Sequence, residues 1–244
     1  MRKRTAPFIV ALLTLASFLA QETAAADGVH THMDDDPLVG MILVDELEVQ
    51  NTSPDKAVAW NVVAWLGHDT GRLLFRSEGK VAKGDVDDSR AELLWLKPIA
   101  AWWDLVGGLR QDAGTGPGRT YGLIGLQGLT PYRFHVESDL FGGERGQVGM
   151  RLESSYAVLV TNRLILTPRA ELQAFRKDDD TSRVGRGLSQ LDLGLRLRYE
   201  IRREFAPYVG LEWSRKFGDT AGLAREADER VHDARVLAGL RFWF

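Results

Sequence analysis

Two histidines, a methionine and three aspartates stand within eight residues in His30-Thr31-His32-Met33-Asp34-Asp35-Asp36-Pro37, and Met41 follows just beyond. Imidazole suits Cu(II), thioether suits Cu(I), and carboxylates add negative charge. The mixture is therefore competent for copper in either redox state, and Zn(II) is a second metal it could take. As an isolated motif it is weak, because such residues in a polar segment are often only solvated side chains.

A second set of charged residues recurs at every other position. Asp192, Gly194, Arg196, Arg198 and Glu200 alternate with Leu191, Leu193, Leu195, Leu197, Tyr199 and Ile201. The same spacing collects Arg76, Glu78 and Lys80; Arg110; His135, Glu137 and Asp139; Arg151 and Glu153; Arg169 and Glu171; and Glu212 and Lys216. A period of two places each group on one face of a strand. If that face is enclosed, mixed signs favour a dense salt-bridge network over a wide selective pore, with a narrow hydrated path as the alternative. His135 reads as a member of that network, since no second His or Met joins it on its face.

Catalytic chemistry has little support. His68 falls in a short turn, His135 on the charged face and His232 beside Asp233 in a long loop; there is no G-x-S-x-G elbow, and Ser154 and Ser155 have no histidine neighbour in register. The expectation is a protein that is not an enzyme. Lys177-Asp178-Asp179-Asp180 is an exposed charged loop before it is a hard-cation site. Gly114, Gly116 and Gly118 around Pro117 are not followed by a helix and read as loop chemistry.

The elements that must position these residues are strands. Alternation from Val39 onward divides the chain into twelve segments near 39–50, 58–67, 71–81, 89–98, 103–112, 119–129, 132–141, 147–157, 163–175, 188–201, 207–217 and 233–244. In the last, Phe244, Phe242, Leu240, Ala238, Val236 and Ala234 form an apolar face opposite Trp243, Arg241, Gly239, Leu237 and Arg235. A soluble sandwich alternates too, with the wet side reversed. Three features favour a membrane barrel. The segment count is even. Short connections (Gly67–Thr70, Ile99–Trp102, Thr130-Pro131, Val160–Asn162, Arg202–Ala206) alternate with longer polar ones (Asn51–Ala57, Val81–Asp88, Asp112–Gly118, Lys177–Gly187, Gly218–His232). Trp102, Trp103, Tyr132, Phe205, Tyr208, Phe242 and Phe244 gather at the short-turn ends as an interfacial girdle would. The fold expected is an all-β, antiparallel up-and-down outer-membrane barrel over residues 39–244, with both termini in the periplasm. A short helix is expected within Ala221–Val231.

Residues 1–26 read as a secretory signal peptide: Met1-Arg2-Lys3-Arg4, an apolar run from Phe8 to Ala20, then Ala24-Ala25-Ala26. Residues 27–38 would then be a periplasmic tail carrying the His, Met and Asp ligands. Removing Arg2, Lys3, Arg4 and Glu22 with the leader leaves 28 basic and 33 acidic side chains, which disfavours a nucleic-acid partner. The chain has no cysteine, so disulfides and thiolate metal sites are excluded. A barrel closes its own edges, so a monomer surrounded by outer-membrane lipid is the default.

Four stretches carry a resemblance: Met33 to Val39, Leu43-Val44-Asp45-Glu46-Leu47-Glu48, the run from Leu191 through Tyr199 to Tyr208, and Lys216-Phe217-Gly218-Asp219-Thr220-Ala221. Together they resemble the copper resistance protein B family of the bacterial outer membrane, from about Met33 to Phe244. The resemblance implies a barrel that binds copper ions and contributes to copper tolerance alongside a periplasmic multicopper oxidase. Family members commonly carry a longer tail rich in Met and His. Here only His30, His32 and Met33 precede Pro37, so a single copper-capture site, or a barrel needing no bound metal, is expected in place of a high-capacity store. A general porin or structural barrel is the alternative function.

Overall fold

The computed structural model describes residues 36–51, 56–114, 118–143, 146–179 and 183–244. The expected leader over residues 1–26 and five of the predicted ligands, His30, His32, Met33, Asp34 and Asp35, lie outside the described residues.

Alternation becomes a closed sheet. The strands are β1 (Val39–Asn51), β2 (Lys56–His68), β3 (Gly71–Ala82), β4 (Asp85–Ala100), β5 (Trp103–Gly114), β6 (Arg119–Leu129), β7 (His135–Gly143), β8 (Val148–Ser155), β9 (Val158–Leu159), β10 (Leu164–Phe175), β11 (Gly187–Tyr199), β12 (Phe205–Lys216) and β13 (His232–Trp243). Among the described residues one helix, α1 (Gly218–Glu226), lies between β12 and β13. Chain neighbours pair antiparallel, and β13 returns to pair with β1, Leu43 opposite Trp243 and Asn51 opposite Val236. Closure leaves no free edge. The two-residue β9 continues β8 along the same partner, β10. The break falls opposite Thr167 and Pro168, the latter having no N–H to give, although the Tyr156 amide still donates to the Pro168 carbonyl at 3.1 Å. β8 and β9 thus make one stave, and the barrel has the twelve staves expected.

Which face is outside is settled by exposure. Leu109, Ile124, Leu140, Val209, Leu211 and Val236 are all more than half exposed, whereas the alternate residues Arg110, Asp139, Arg151 and Leu237 are buried. A continuous apolar band around a closed sheet, with charge enclosed, is the outer-membrane arrangement. Among the described residues no helix is long and apolar enough to cross a membrane.

Several boundaries differ from the expectation. The connection predicted over Val81–Asp88 is a two-residue turn, Lys83-Gly84, with φ of 55° and 87°; two successive left-handed residues are what a tight hairpin needs, and pairing continues to Ala82 opposite Asp85. β1 and β5 likewise run on to Asn51 and Gly114, so the long connections there are shorter than expected. Two loops at that rim remain long, Arg176–Arg186 and Phe217–Val231, the second carrying α1. Tyr132 belongs to the turn before β7 and is fully at the surface. Tyr208 is a correction: it is lumen-facing and buried, not part of the rim girdle.

β1 also holds a bulge. Val44 pairs with Val62 and Glu46 with Asn61, which leaves Asp45 unpaired on that side. The extra residue re-aims the strand, so Asp45 reaches Arg241 while Glu46 and Glu48 are buried in the lumen. On β3 to β5 the half of the lumen nearer the termini is apolar, filled by Leu74, Leu94, Leu96 and Val106.

Candidate functional site

The inward residues of nine strands meet in one ion-pair network. Arg151, from β8, is 3 % exposed. Its guanidinium donates to Glu171 at 2.8 and 3.0 Å, is bonded to Glu153, and stands 3.7 Å from Glu78 and Glu137 and 3.9 Å from Asp139. Arg169, two residues from Glu171 on β10, donates to both oxygens of Glu153 at 2.8 Å, to Glu171 at 2.9 Å and to Glu46 at 3.3 Å. Arg196 on β11 extends the chain to Glu46 and Glu48, both at 3.1 Å, and to Glu212 at 3.3 Å. The Tyr208 hydroxyl adds a hydrogen bond to Glu48 at 2.9 Å. On the other side Arg76 lies 3.2 Å from Glu137 and Asp139 and 3.5 Å from Glu92, and donates to Gln127 at 2.6 Å; Arg90 bridges Glu78 and Glu92. Arg110 forks onto Asp112 at 2.7 and 2.8 Å with its guanidinium 4.0 Å over the Phe141 ring, a stacked geometry that only arginine supplies.

Apart from Arg110, whose carboxylate partner is Asp112, each of these guanidinium groups contacts more than one carboxylate, and that compensation lets them survive burial. Among the described residues ten carboxylates (Glu46, Glu48, Glu78, Glu92, Glu137, Asp139, Glu153, Glu171, Glu212 and Asp233) face six guanidinium groups (Arg76, Arg90, Arg151, Arg169, Arg196 and Arg235 of β13, 3.7 Å from Glu212). The surplus is negative, an environment that favours cations over anions. Beyond the network, toward the long-loop rim, a cavity of about 820 Å³ opens. Glu46, Arg169 and Glu171 line it at one end, and Asp179, Arg183, Thr220 and Glu229 line it from the loops.

The structure brings together the inward residues that spacing selected: Arg76, Glu78, Glu137, Asp139, Arg151, Glu153, Arg169, Glu171 and Glu212 all belong to the network. His135 lies 3.9 Å from Glu137 and stays half-exposed at its edge. Sequence reasoning missed Glu46, Glu48, Arg90 and Glu92. The bulge hid the first two. The run Leu93-Leu94-Trp95-Leu96 hid the others, because the lumen turns apolar there and alternation disappears. In the charged loop Lys177 and Asp178 are exposed, the Asp178 carboxylate accepting the Arg186 amide at 2.6 Å, whereas Asp179 is partly buried and pairs with Arg119; Asp180 lies outside the described residues.

Of the predicted metal ligands, two are described. The Asp36 carboxylate accepts the Asp69 amide at 2.9 Å, and its carbonyl oxygen lies 2.9 Å from His68 Nδ1. Met41 pairs across the sheet with Trp65, which packs against the apolar lumen cluster. Among the described residues no group of three or more His, Asp and Glu has the geometry of a metal site.

One ionisable group outside the membrane has a shifted proton affinity. The hydrogen bond from Lys216 on β12, 2.8 Å from Glu229, together with Arg183 from the preceding long loop, holds the Glu229 carboxyl below its ordinary range. A lowered affinity means the contact stabilises the folded loop above the unfolded carboxyl's range, near 4.3, and is lost as pH falls through the folded value. Hydrogen-exchange protection of the Gly185 amide, which donates to Thr220 at 2.8 Å, is therefore expected to decline on acidification below about pH 4, and Glu229→Gln to lack that decline. Protection independent of pH in the parent would refute the link.

The profile of a family described as "Copper resistance protein B precursor" matches residues 38–244. A "Copper resistance protein B" of Escherichia coli is 41 % identical over 226 residues, 92 % of this chain and 76 % of that protein. A "Copper resistance protein B homolog" of Pseudomonas syringae pv. tomato (strain ATCC BAA-871 / DC3000) is 43 % identical over 210 residues, 86 % of this chain and 71 % of that protein. Among solved structures, the NanC porin superposes with a TM-score of 0.57 at 11 % identity, covering 84 % of this chain and 99 % of the porin. The KdgM porin gives 0.53 at 12 % identity with the same coverages. At such identities the porins show the fold alone.

Proposed function

Since the chain belongs to the copper resistance protein B family, we propose that it serves copper resistance at the bacterial outer membrane by binding copper ions and contributing to their sequestration or export. The family match carries this reading. Ligand chemistry supports it: the described residues engage their buried carboxylates with arginines, so the soft donors competent for copper are His30, His32 and Met33, with Asp34, Asp35, Asp36 and Met41 adding charge and a thioether. Copper is the cargo, and the negative surplus of the lumen favours a cation. Residues 1–26 act as a signal peptide and 27–38 as a periplasmic tail, with both termini in the periplasm. The short turns lie at the rim that carries the termini, as the outer-membrane asymmetry requires. The protein works as a monomer in lipid, catalyses no reaction, and hands copper to or receives it from a periplasmic partner such as a multicopper oxidase.

Titration of the refolded barrel with Cu(I) and Cu(II) tests the reading. The triple variant His30→Ala, His32→Ala, Met33→Ala is expected to lose on the order of one bound copper per chain. Equal stoichiometry and affinity in parent and variant would remove the segment from the mechanism. The porin-like fold supports a second reading, a general pore or structural barrel; a steady current in simple salt that copper leaves unchanged would favour it.

A further inference from the structure

We propose that the α1 segment is a hinged gate at the long-loop mouth of the barrel. Its seat is a bulge in β11. Gln190 pairs with Gln173 and Leu188 with Ala174, so Ser189 is extra. The Ser189 hydroxyl meets that of Thr220 at 2.9 Å, and the Gly185 amide donates to the same Thr220 oxygen at 2.8 Å. Gly185 lies so close that a Cβ there would stand 2.3 Å from the Thr220 amide nitrogen.

The seat is specific but weakly held. The face that α1 buries consists of Thr220, Ala221 and Ala224, which contribute little apolar area, and its N-cap, Phe217, offers no capping side chain. The second attachment is Glu229, held by Lys216 at 2.8 Å and by Arg183. Both pairs are partly exposed, so salt screens them. The segment has left-handed backbone at each end, Gly218 with φ 50° and Asp228 with φ 57°. Few apolar contacts between two sharp turns describe a unit that opens at low free energy without disturbing the staves. Thr220, Glu229, Arg230 and Val231 form part of the wall of the 820 Å³ cavity. Swinging α1 outward therefore widens the approach to the charged belt, and reseating it narrows that approach. The gate depends on the barrel and its loops, not on the copper reading, and its test uses simple salt.

The chain has no cysteine, so a lock can be built cleanly. Ser189→Cys with Thr220→Cys puts two thiols where the hydroxyls stand 2.9 Å apart, the contact that a disulfide would lock. Single-channel current through the full-length double variant in planar bilayers with potassium chloride is the readout. Openings are expected to be at least about tenfold rarer in the oxidised form than after reduction. Replacing Gly218–Asp228 by a short Gly-Ser linker should give a persistently open barrel; if that variant does not fold, Gly185→Ala, whose methyl presses on the Thr220 amide, supplies the unseated form. Failure of the disulfide to form, equal currents in both redox states, or silence that persists when α1 is removed or unseated would each overturn the gate.

Discussion

Arg151→Met is expected to lower the unfolding free energy of the refolded barrel by about 3–5 kcal/mol, because a buried ion network that loses one partner keeps the opposing charges without their compensation. Arg151 is almost fully buried and stands within ion-pair distance of Glu78, Glu137, Asp139, Glu153 and Glu171. Methionine keeps most of the side-chain length, so lost packing contributes little. The belt already has more carboxylates than arginines, and removing a cation moves it further out of balance. Neutralising a neighbour should repair part of the damage: Arg151→Met with Glu171→Gln is expected to recover at least about 1 kcal/mol, as groups in one network couple. Arg183→Met, at an exposed pair in the loops, should change stability by less than about 1 kcal/mol. Urea titration followed by tryptophan fluorescence in detergent or bilayers measures all three. Similar values for Arg151→Met and Arg183→Met would mean that water reaches the lumen charges freely and the network does not hold the barrel.

Strand number and register were legible in the sequence because a period of two is an unambiguous assignment of faces wherever one face is charged. β11 shows this best: every second residue from Asp192 to Arg198 turns inward as its spacing requires. Legibility failed where the lumen stops being polar or the backbone breaks step. Leu94 and Leu96 are interior, and next to outward Leu93 and Trp95 they make a run with no period. The bulge at Asp45 shifts the inward register by one, so Glu46 and Glu48 could not be assigned by counting from Val39. Tyr208 sits near a strand end, where aromatic residues usually meet lipid headgroups, and only its bond to Glu48 places it inside. Lys83-Gly84 looked like part of a polar loop because turn residues and loop residues share a composition; left-handed dihedrals distinguish them. The metal segment was read from side-chain chemistry alone, and its strongest donors precede the first described residue.

Leu109→Arg is expected to cost about 2–4 kcal/mol, and Leu38→Arg no more than about 1 kcal/mol, because charge on the lipid face is penalised by its depth in the bilayer. The two leucines are alike in exposure, 60 % and 58 %, so a protein surrounded by water would tolerate both changes equally. They differ in height. Leu109 lies near the middle of β5, paired with outward Leu93 of β4 and flanked by Gly108 and Arg110 whose register turns inward. Leu38 precedes β1 at the rim that carries the termini, where headgroups and water can solvate a guanidinium. A long arginine at position 109 could bend toward the rim, which places the expected value inside the range and short of the full cost of burying a charge. Refolding into phospholipid vesicles, with folding free energies from denaturant titration, gives the comparison directly. Equal costs for the two variants would show that exposure alone sets the penalty and that the leucine band does not face acyl chains.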